Sequence, residues 1–355
     1  MKVGILTTHD EINHGAYLQA FALQQTLNNL GCYSLLINYK SFNYLFAEYK
    51  IYICQKNPVN IIKNLFKISK FKKSLKLLNC TRHHFTARSV NQEGFDLIVL
   101  GSDEIWNYSN CIGEAMPLHF ADGLQAKKII SYAPSFGNVV CSDVFPGYVE
   151  RGLRRLCAVS VRDRNSFDIV TNKLKLPCTL VLDPTFLISF DKYLVSPKYS
   201  NFILIYGFFS ADLQKEITRF AIKENLITIS VGYINKWCDK NIVAVSPFEW
   251  VGYISASKYV VTSMYHGTIF SLKYKKQFCT YVTPYRRNKL ETIAEIFGVS
   301  DRMITDETFS SLSDILKNRI EYLPIDQIID VWKSKSINFL KDAIYDTRSC
   351  EENNT

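Results

Sequence analysis

The apolar positions of the chain fall into short continuous runs separated by longer stretches of helical period, the alternation that builds an α/β fold. Lys2 to Leu6 reads as a first strand, and Tyr17 to Leu30 as an amphipathic helix carrying Leu18, Phe21, Ala22, Leu27 and Leu30, ended by Gly31. Cys32 to Tyr39, Phe95 to Leu100, Lys128 to Ala133, Cys157 to Val161 and Thr179 to Leu182 supply the next strands. A polar stretch of weak periodicity, Ser189 to Ser200, reads as a linker. A second α/β unit follows, with strands at Phe202 to Tyr206, Leu226 to Val231, Tyr259 to Thr262 and Phe278 to Val282. Its helices are predicted near Ala211 to Glu224, Pro247 to Ser255, Thr268 to Lys276 and Lys289 to Phe297. Helical stretches at Ser310 to Tyr322 and Ile325 to Tyr345 close the chain. The pattern therefore predicts one domain over 1–190, a second over 200–325, and a terminal helix with a frayed tail over 326–355.

One segment breaks the alternation. Asn60 to Leu78 mixes Ile61, Ile62, Leu65, Ile68 and Leu75 with Lys63, Lys67, Lys70, Lys72, Lys73 and Lys76, a basic amphipathic helix or helical pair. It reads either as an excursion that packs its apolar side on the first domain with its lysines in water, or as a peripheral contact with an anionic membrane face.

Composition narrows the partners. A chain of 355 residues with 47% hydrophobic content can bury a core large enough for two domains. The net charge of +9 favours anionic partners such as phosphorylated substrates or an acidic membrane. No zinc-finger or RNP-type pattern is present, so nucleic acid is not an expected partner. No apolar run approaches the ~18 residues of a membrane span. The opening MKVGILTTHDEIN reads as a strand and a polar loop, which places the protein in the cytoplasm. Ten cysteines lack any CxxC pair and are expected reduced, and six histidines lack ligand spacing, so no metal is expected.

The candidate chemistry sits where strands end. In YVVTSMYHGTIFSLKYKK, Tyr259 to Lys276, the chain turns at Ser263 to His266 and enters a helix. Amides near Gly267 and Thr268 would point at an anion there, and Gly267 would let a ligand approach the backbone. His266 is then a proton donor, a cationic clamp or a helix cap. After Leu100, Gly101-Ser102-Asp103-Glu104 sets two carboxylates at a strand end, one a general base, or Asp103 a cap. After Val161, Arg162-Asp163-Arg164 offers arginine forks for phosphate or carboxylate, or a structural ion pair with Asp163. The loop Thr7 to Gly15 lacks GxGxxG, which argues against an ordinary dinucleotide site.

Taken in order, these pieces resemble the polysaccharide pyruvyl transferase family. They are N-x-G-A-x-L-Q (Asn13, Gly15, Ala16, Leu18, Gln19), Gly101-Ser102-Asp103 with Trp106, Ala133 to Gly137, Arg162 to Ser166, Asp183-Pro184, and His266-Gly267-Thr268. Family members often carry an arginine two residues before the histidine, where this chain has Met264. The resemblance implies an α/β chain of two Rossmann-like domains facing each other across a cleft, in the GT-B manner. It implies transfer of a pyruvyl group from phosphoenolpyruvate to a sugar of a surface polysaccharide or its polyprenyl-linked precursor, as a ketal. On that resemblance His266 is the acid and Asp103 or Glu104 the base. Arg162, Arg164, Ser263, Gly267 and Thr268 hold the donor, and Asn13, Gly15, Ser102 and Trp106 the acceptor. The first domain is then the acceptor side and the second the donor side, with no cofactor and no metal. Two alternatives stand beside it: a glycosyltransferase using a nucleotide-sugar, and a non-catalytic glycan-binding member.

Overall fold

The computed structural model describes residues 1–40, 58–110 and 116–345, together with residues 46, 50 and 54. The chain forms two units that do not follow its order. One holds Met1–Lys56, Leu75–Ile188 and Asp330–Thr355; the other holds Asn57–Ser74 and Ser189–Ile329.

In the first unit, β1 (Lys2–Leu6), β2 (Tyr33–Leu36), β3 (Leu97–Leu100) and β4 (Lys128–Ser131) form a parallel sheet in the order β2-β1-β3-β4. The short parallel pair β5 (Ser160–Val161) and β6 (Thr179–Leu180) joins β4 through a single bridge between Ile130 and Ala158. β3 reads LIVL and is buried at every position, as a strand covered on both faces must be. The helix His14–Asn29 carries the chain from β1 to β2. It starts three residues before the periodicity suggests, because Asn13 caps it: the amides of Gly15 and Ala16 donate to Asn13 Oδ1 at 3.0 and 3.3 Å.

The second unit contains β7 (Phe202–Tyr206), β8 (Ile227–Val231), β9 (Lys240–Ile242), β10 (Tyr259–Thr262), β11 (Gln277–Tyr281) and β12 (Met303–Ile304). They lie parallel in the order β12-β11-β10-β7-β8-β9. Counted along the chain this is the 3-2-1-4-5-6 arrangement of a Rossmann sheet, with its switch point between β7 and β10. In the first unit the order 2-1-3-4 places the switch point between β1 and β3. Both units are thus Rossmann-like and the fold class is α/β, as the periodicity implies.

Two segments depart from the sequence reading. The helix Pro58–Leu75 packs on the second unit, not on the first: Lys67 Nζ donates to Gly232 O at 3.0 Å, and Lys70 Nζ reaches both carboxylate oxygens of Glu249 at 2.8 Å. The helix Tyr322–Tyr345 is no detached tail, since it begins in the second unit and ends in the first. There the amide of Leu182 donates to Ser336 Oγ at 2.9 Å, and Lys128 Nζ to Ala343 O at 2.9 Å. The predicted frayed tail beyond residue 345 lies outside the described residues. Cys157 is disulfide-bonded, against the reduced state expected for all ten cysteines, while Cys32, Cys54, Cys80, Cys141, Cys178, Cys238 and Cys279 are free thiols. Among the described residues no helix is long and apolar enough to cross a membrane.

Candidate active site

At the switch point of the first unit, the Thr7 hydroxyl at the end of β1 donates to Ser102 O at the end of β3, 2.8 Å away. The chain leaves β3 through Gly101 at φ 110° and Asp103 at φ 72°. A side chain at Gly101 would start 2.4 Å from Tyr132 O, so only glycine fits. This turn presents the carboxylates of Asp103 and Glu104, both partly exposed, at the carboxyl end of the sheet.

Arg162 lies beneath them and is fully buried. Its Nη2 donates to Asp103 Oδ1 at 2.9 Å and its Nη1 to Asp183 Oδ2 at 2.8 Å. Asp183 is fixed in turn, its Oδ1 accepting from the Thr185 amide at 3.0 Å and hydroxyl at 2.7 Å. The guanidinium fork therefore spans two carboxylates and is not presented to a donor anion. Nor is Asp163 its ion-pair partner, since Asp163 Oδ1 accepts from the Ser166 amide at 2.8 Å and caps the helix Arg164–Asp168. At this end of the sheet one guanidinium is shared between two carboxylates. Arg164 is exposed, its guanidinium 5.6 Å from the Phe167 ring centre.

The predicted acceptor residues divide. Trp106 is fully buried, its indole donating to His119 O at 2.8 Å, with the rings of Phe120 and Phe136 centred 6.2 and 5.3 Å away. It is a core residue, not a platform for a sugar. Ser102 is buried, Gly15 lies in the capped first turn, and Asn13 is occupied as the cap. Sequence reasoning missed His9 and Asp10 at the same switch point. Burial lowers the His9 pKa, leaving the ring neutral near pH 7. Asp10 pairs with Lys40 at 2.7 Å; burial raises its pKa, and His9 and Lys40 outweigh that and lower it. A His-Asp pair directly after a strand was the available signal.

In the second unit, the turn after β10 is stitched to the end of β7. The amides of Ser263 and Phe208 donate to Tyr206 O and Ser263 Oγ at 3.1 Å each, and the Thr262 hydroxyl donates to Tyr206 O at 2.9 Å. The helix begins at Tyr265, earlier than the predicted Thr268, with Met264 as its N-cap. His266 consequently stands in the first turn, 8% exposed, its ring centred 5.2 Å from that of Tyr265.

Two expectations about this turn change. A Cβ at Gly267 would fall 2.1 Å from Thr262 Oγ1, so the glycine permits helix and strand to touch, and Thr262, not a ligand, lies against that side of it. Thr268 is committed to the fold, its amide donating to Met264 O at 3.1 Å and its hydroxyl paired with that of Thr280 at 2.9 Å.

Cations that the sequence reading did not single out stand on neighbouring strand ends. After β11, Lys289 Nζ lies 5.7 Å from the Tyr265 ring centre and 6.0 Å from that of Tyr285, and the Arg286 guanidinium lies 5.7 Å from Tyr285. After β8, the buried ammonium of Lys67 lies 5.6 Å from the Tyr233 ring centre. Its burial pulls the pKa down to about 8. Lys67 was hidden among equivalent-looking lysines, whereas Pro284-Tyr285-Arg286-Arg287 after a strand was a legible signal. Asp103, Glu104 and Arg162 thus belong to the first unit, and Ser263, His266, Gly267 and Thr268 to the second. Among the described residues no three His, Cys, Asp or Glu side chains group as a metal site.

Two Rossmann-like units, each with ionisable side chains at its switch point, define an α/β protein of GT-B-like fold. More narrowly, the chain belongs to the polysaccharide pyruvyl transferase family, whose sequence profile matches residues 13–283. Among solved structures, the fold is similar to that of UDP-GlcNAc 2-epimerase from Methanocaldococcus jannaschii in complex with UDP-GlcNAc and UDP. That match has a TM-score of 0.52 and 12% identity, covering 93% of this chain and 99% of the other. E. coli heptosyltransferase WaaC with ADP matches at a TM-score of 0.39 and 9% identity over 97% of this chain and 100% of that one. At 12% identity the likeness to the epimerase shows the fold alone. Comparison with curated proteins finds no match.

Proposed function

We propose that this transferase moves the pyruvyl group of phosphoenolpyruvate onto a sugar of a surface polysaccharide or its lipid-linked precursor, closing a pyruvate ketal, in the cytoplasm. The observation that carries the reading is the division of charge between the two sheet ends: carboxylates in the first unit, and cations beside a histidine in the second. Phosphoenolpyruvate carries a phosphate and a carboxylate. Arg286, Lys289 and the amide end of the helix Tyr265–Lys273 are the groups suited to hold them.

His266 then protonates the methylene carbon, leaving an oxocarbenium-like centre at the adjoining carbon. A sugar hydroxyl attacks that carbon while Asp103, held by Arg162, takes its proton; Glu104 is the neighbouring alternative. A second hydroxyl of the same sugar attacks next, the bond from carbon to the phosphate oxygen breaks, and the departing phosphate takes that hydroxyl's proton and leaves as inorganic phosphate while the ring closes. Arg162 is a positioning residue in this scheme.

The test is phosphate release from phosphoenolpyruvate against a panel of free and polyprenyl-linked glycans, with wild type and His266→Gln. The variant should lose about 10²- to 10⁴-fold in turnover and little in donor affinity. Calorimetric titration that detects nucleotide-sugars and not phosphoenolpyruvate would overturn the donor assignment. Phosphoenolpyruvate binding without phosphate release on any glycan would favour a non-catalytic member.

A further inference from the structure

We infer that the helix Pro58–Leu75 seats the protein on an anionic phospholipid surface, through the side that it turns away from the second unit. The sequence suggested an apolar side packed on the protein, whereas the structure buries one side of the helix and leaves much of the apolar stripe on the other side exposed. At 100° per residue, Lys67, Phe71 and Ser74 share one side of the helix, and all three are buried. Ile62, Phe66, Ser69 and Lys73 share the opposite side, with Leu65 at its margin. Ile62 is 55%, Leu65 50% and Phe66 65% exposed. Three large apolar side chains standing together in water mark an interaction surface.

Charge selects the occupant. Lys67 and Lys70 are turned inward, to Gly232 and Glu249. Lys63, Lys73 and Lys76 remain exposed around the apolar side. No aspartate or glutamate occurs from residue 49 to residue 92. A second copy of the chain would set these lysines against themselves, in a protein already at +9. Anionic headgroups meet the lysines instead, and the boundary of the acyl chains takes Ile62, Leu65 and Phe66, as for a helix lying in the interface plane. Each engaged lysine is worth about fivefold in binding, so attachment is reversible and weakened by salt. This inference does not depend on the identity of the donor.

The experiment is flotation of the full chain with equimolar phosphatidylglycerol and phosphatidylcholine vesicles, and with pure phosphatidylcholine, at low and high salt. Wild type should float with the anionic vesicles at low salt only. A triple variant, Lys63→Gln, Lys73→Gln and Lys76→Gln, should bind weaker by on the order of a hundredfold. Phe66→Ser should also bind weaker, and Lys70→Gln should match wild type. Thermal unfolding checks that each variant remains folded. Failure of wild type to float, equal flotation of the triple variant, or equal loss in Lys70→Gln would overturn the proposal. So would a concentration-dependent dimer that Phe66→Ser abolishes, which would assign the surface to a second copy.

Discussion

Lys67→Met offers a test with a worked magnitude. The Lys67 ammonium is buried at the end of β8, and burial takes its pKa from 10.5 to about 8. At about 1.4 kcal/mol per pKa unit, holding the charge there costs the fold roughly 3 kcal/mol at neutral pH. The hydrogen bond to Gly232 O offsets about 1.5 kcal/mol of it. Methionine keeps the stem and removes the charge, so the variant should be more stable than wild type by about 1.5 to 3 kcal/mol at pH 7. The pH dependence follows from a lowered cationic pKa. Below pH 8 both states of wild type hold the proton and the full cost is present. Between about 8 and 10.5 the unfolded chain holds more proton than the folded one, so wild-type stability rises with pH. The gap to the variant should therefore narrow by more than about 1 kcal/mol between pH 7 and pH 9, and nearly close by pH 10. Urea unfolding of both proteins at each pH measures it. A gap that stays constant with pH, or a wild type more stable at pH 7, would refute the reasoning.

Further expectations concern the groups around the two switch points. Arg162→Met strands Asp103 and Asp183 and should destabilise by about 3 to 5 kcal/mol in thermal unfolding. Arg162→Lys reaches only one of them and should lower kcat more than it raises KM; a change confined to KM would return Arg162 to donor binding. Gly267→Ala should cost about 1 to 3 kcal/mol through its clash with Thr262, and adding Thr262→Ala should recover part of that. Strictly additive losses would disprove the clash. Asp103→Asn should reduce turnover about 10²- to 10⁴-fold with donor affinity intact, and Glu104→Gln much less; equal losses would count against Asp103 as the base.

Much of this architecture was legible because buried parallel strands write themselves as apolar runs. Phe202–Tyr206 and Tyr259–Thr262 match the prediction residue for residue. β9 and β12 were missed because Lys-Asn-Ile and Met-Ile are too short to show a period. The helix at Tyr265 was placed late because its polar first turn, His266 to Thr268, looks like a loop until Met264 is seen as its cap. The strand-end motifs led to both switch points, but not to what each side chain does there. Trp106 reads the same in a core as on a surface, and the Arg162 fork reads the same whether it faces a substrate or two aspartates distant in sequence. The membership of Pro58–Leu75 was illegible, since its anchors Gly232 and Glu249 lie far along the chain.

The interleaving of the two units bears on how the protein is made. Every residue of the second unit precedes Asp330, whereas the first unit opens the chain and also needs the residues from Asp330 onward. A ribosome therefore completes the sequence of the second unit before that of the first. The amide of Leu182 must wait for Ser336, 154 residues later. At 5–20 residues per second that delay is about 8 to 30 s, during which the nascent sheet β2-β1-β3-β4 lacks the helix that packs on its unit. The segment synthesised first is thus the one completed last.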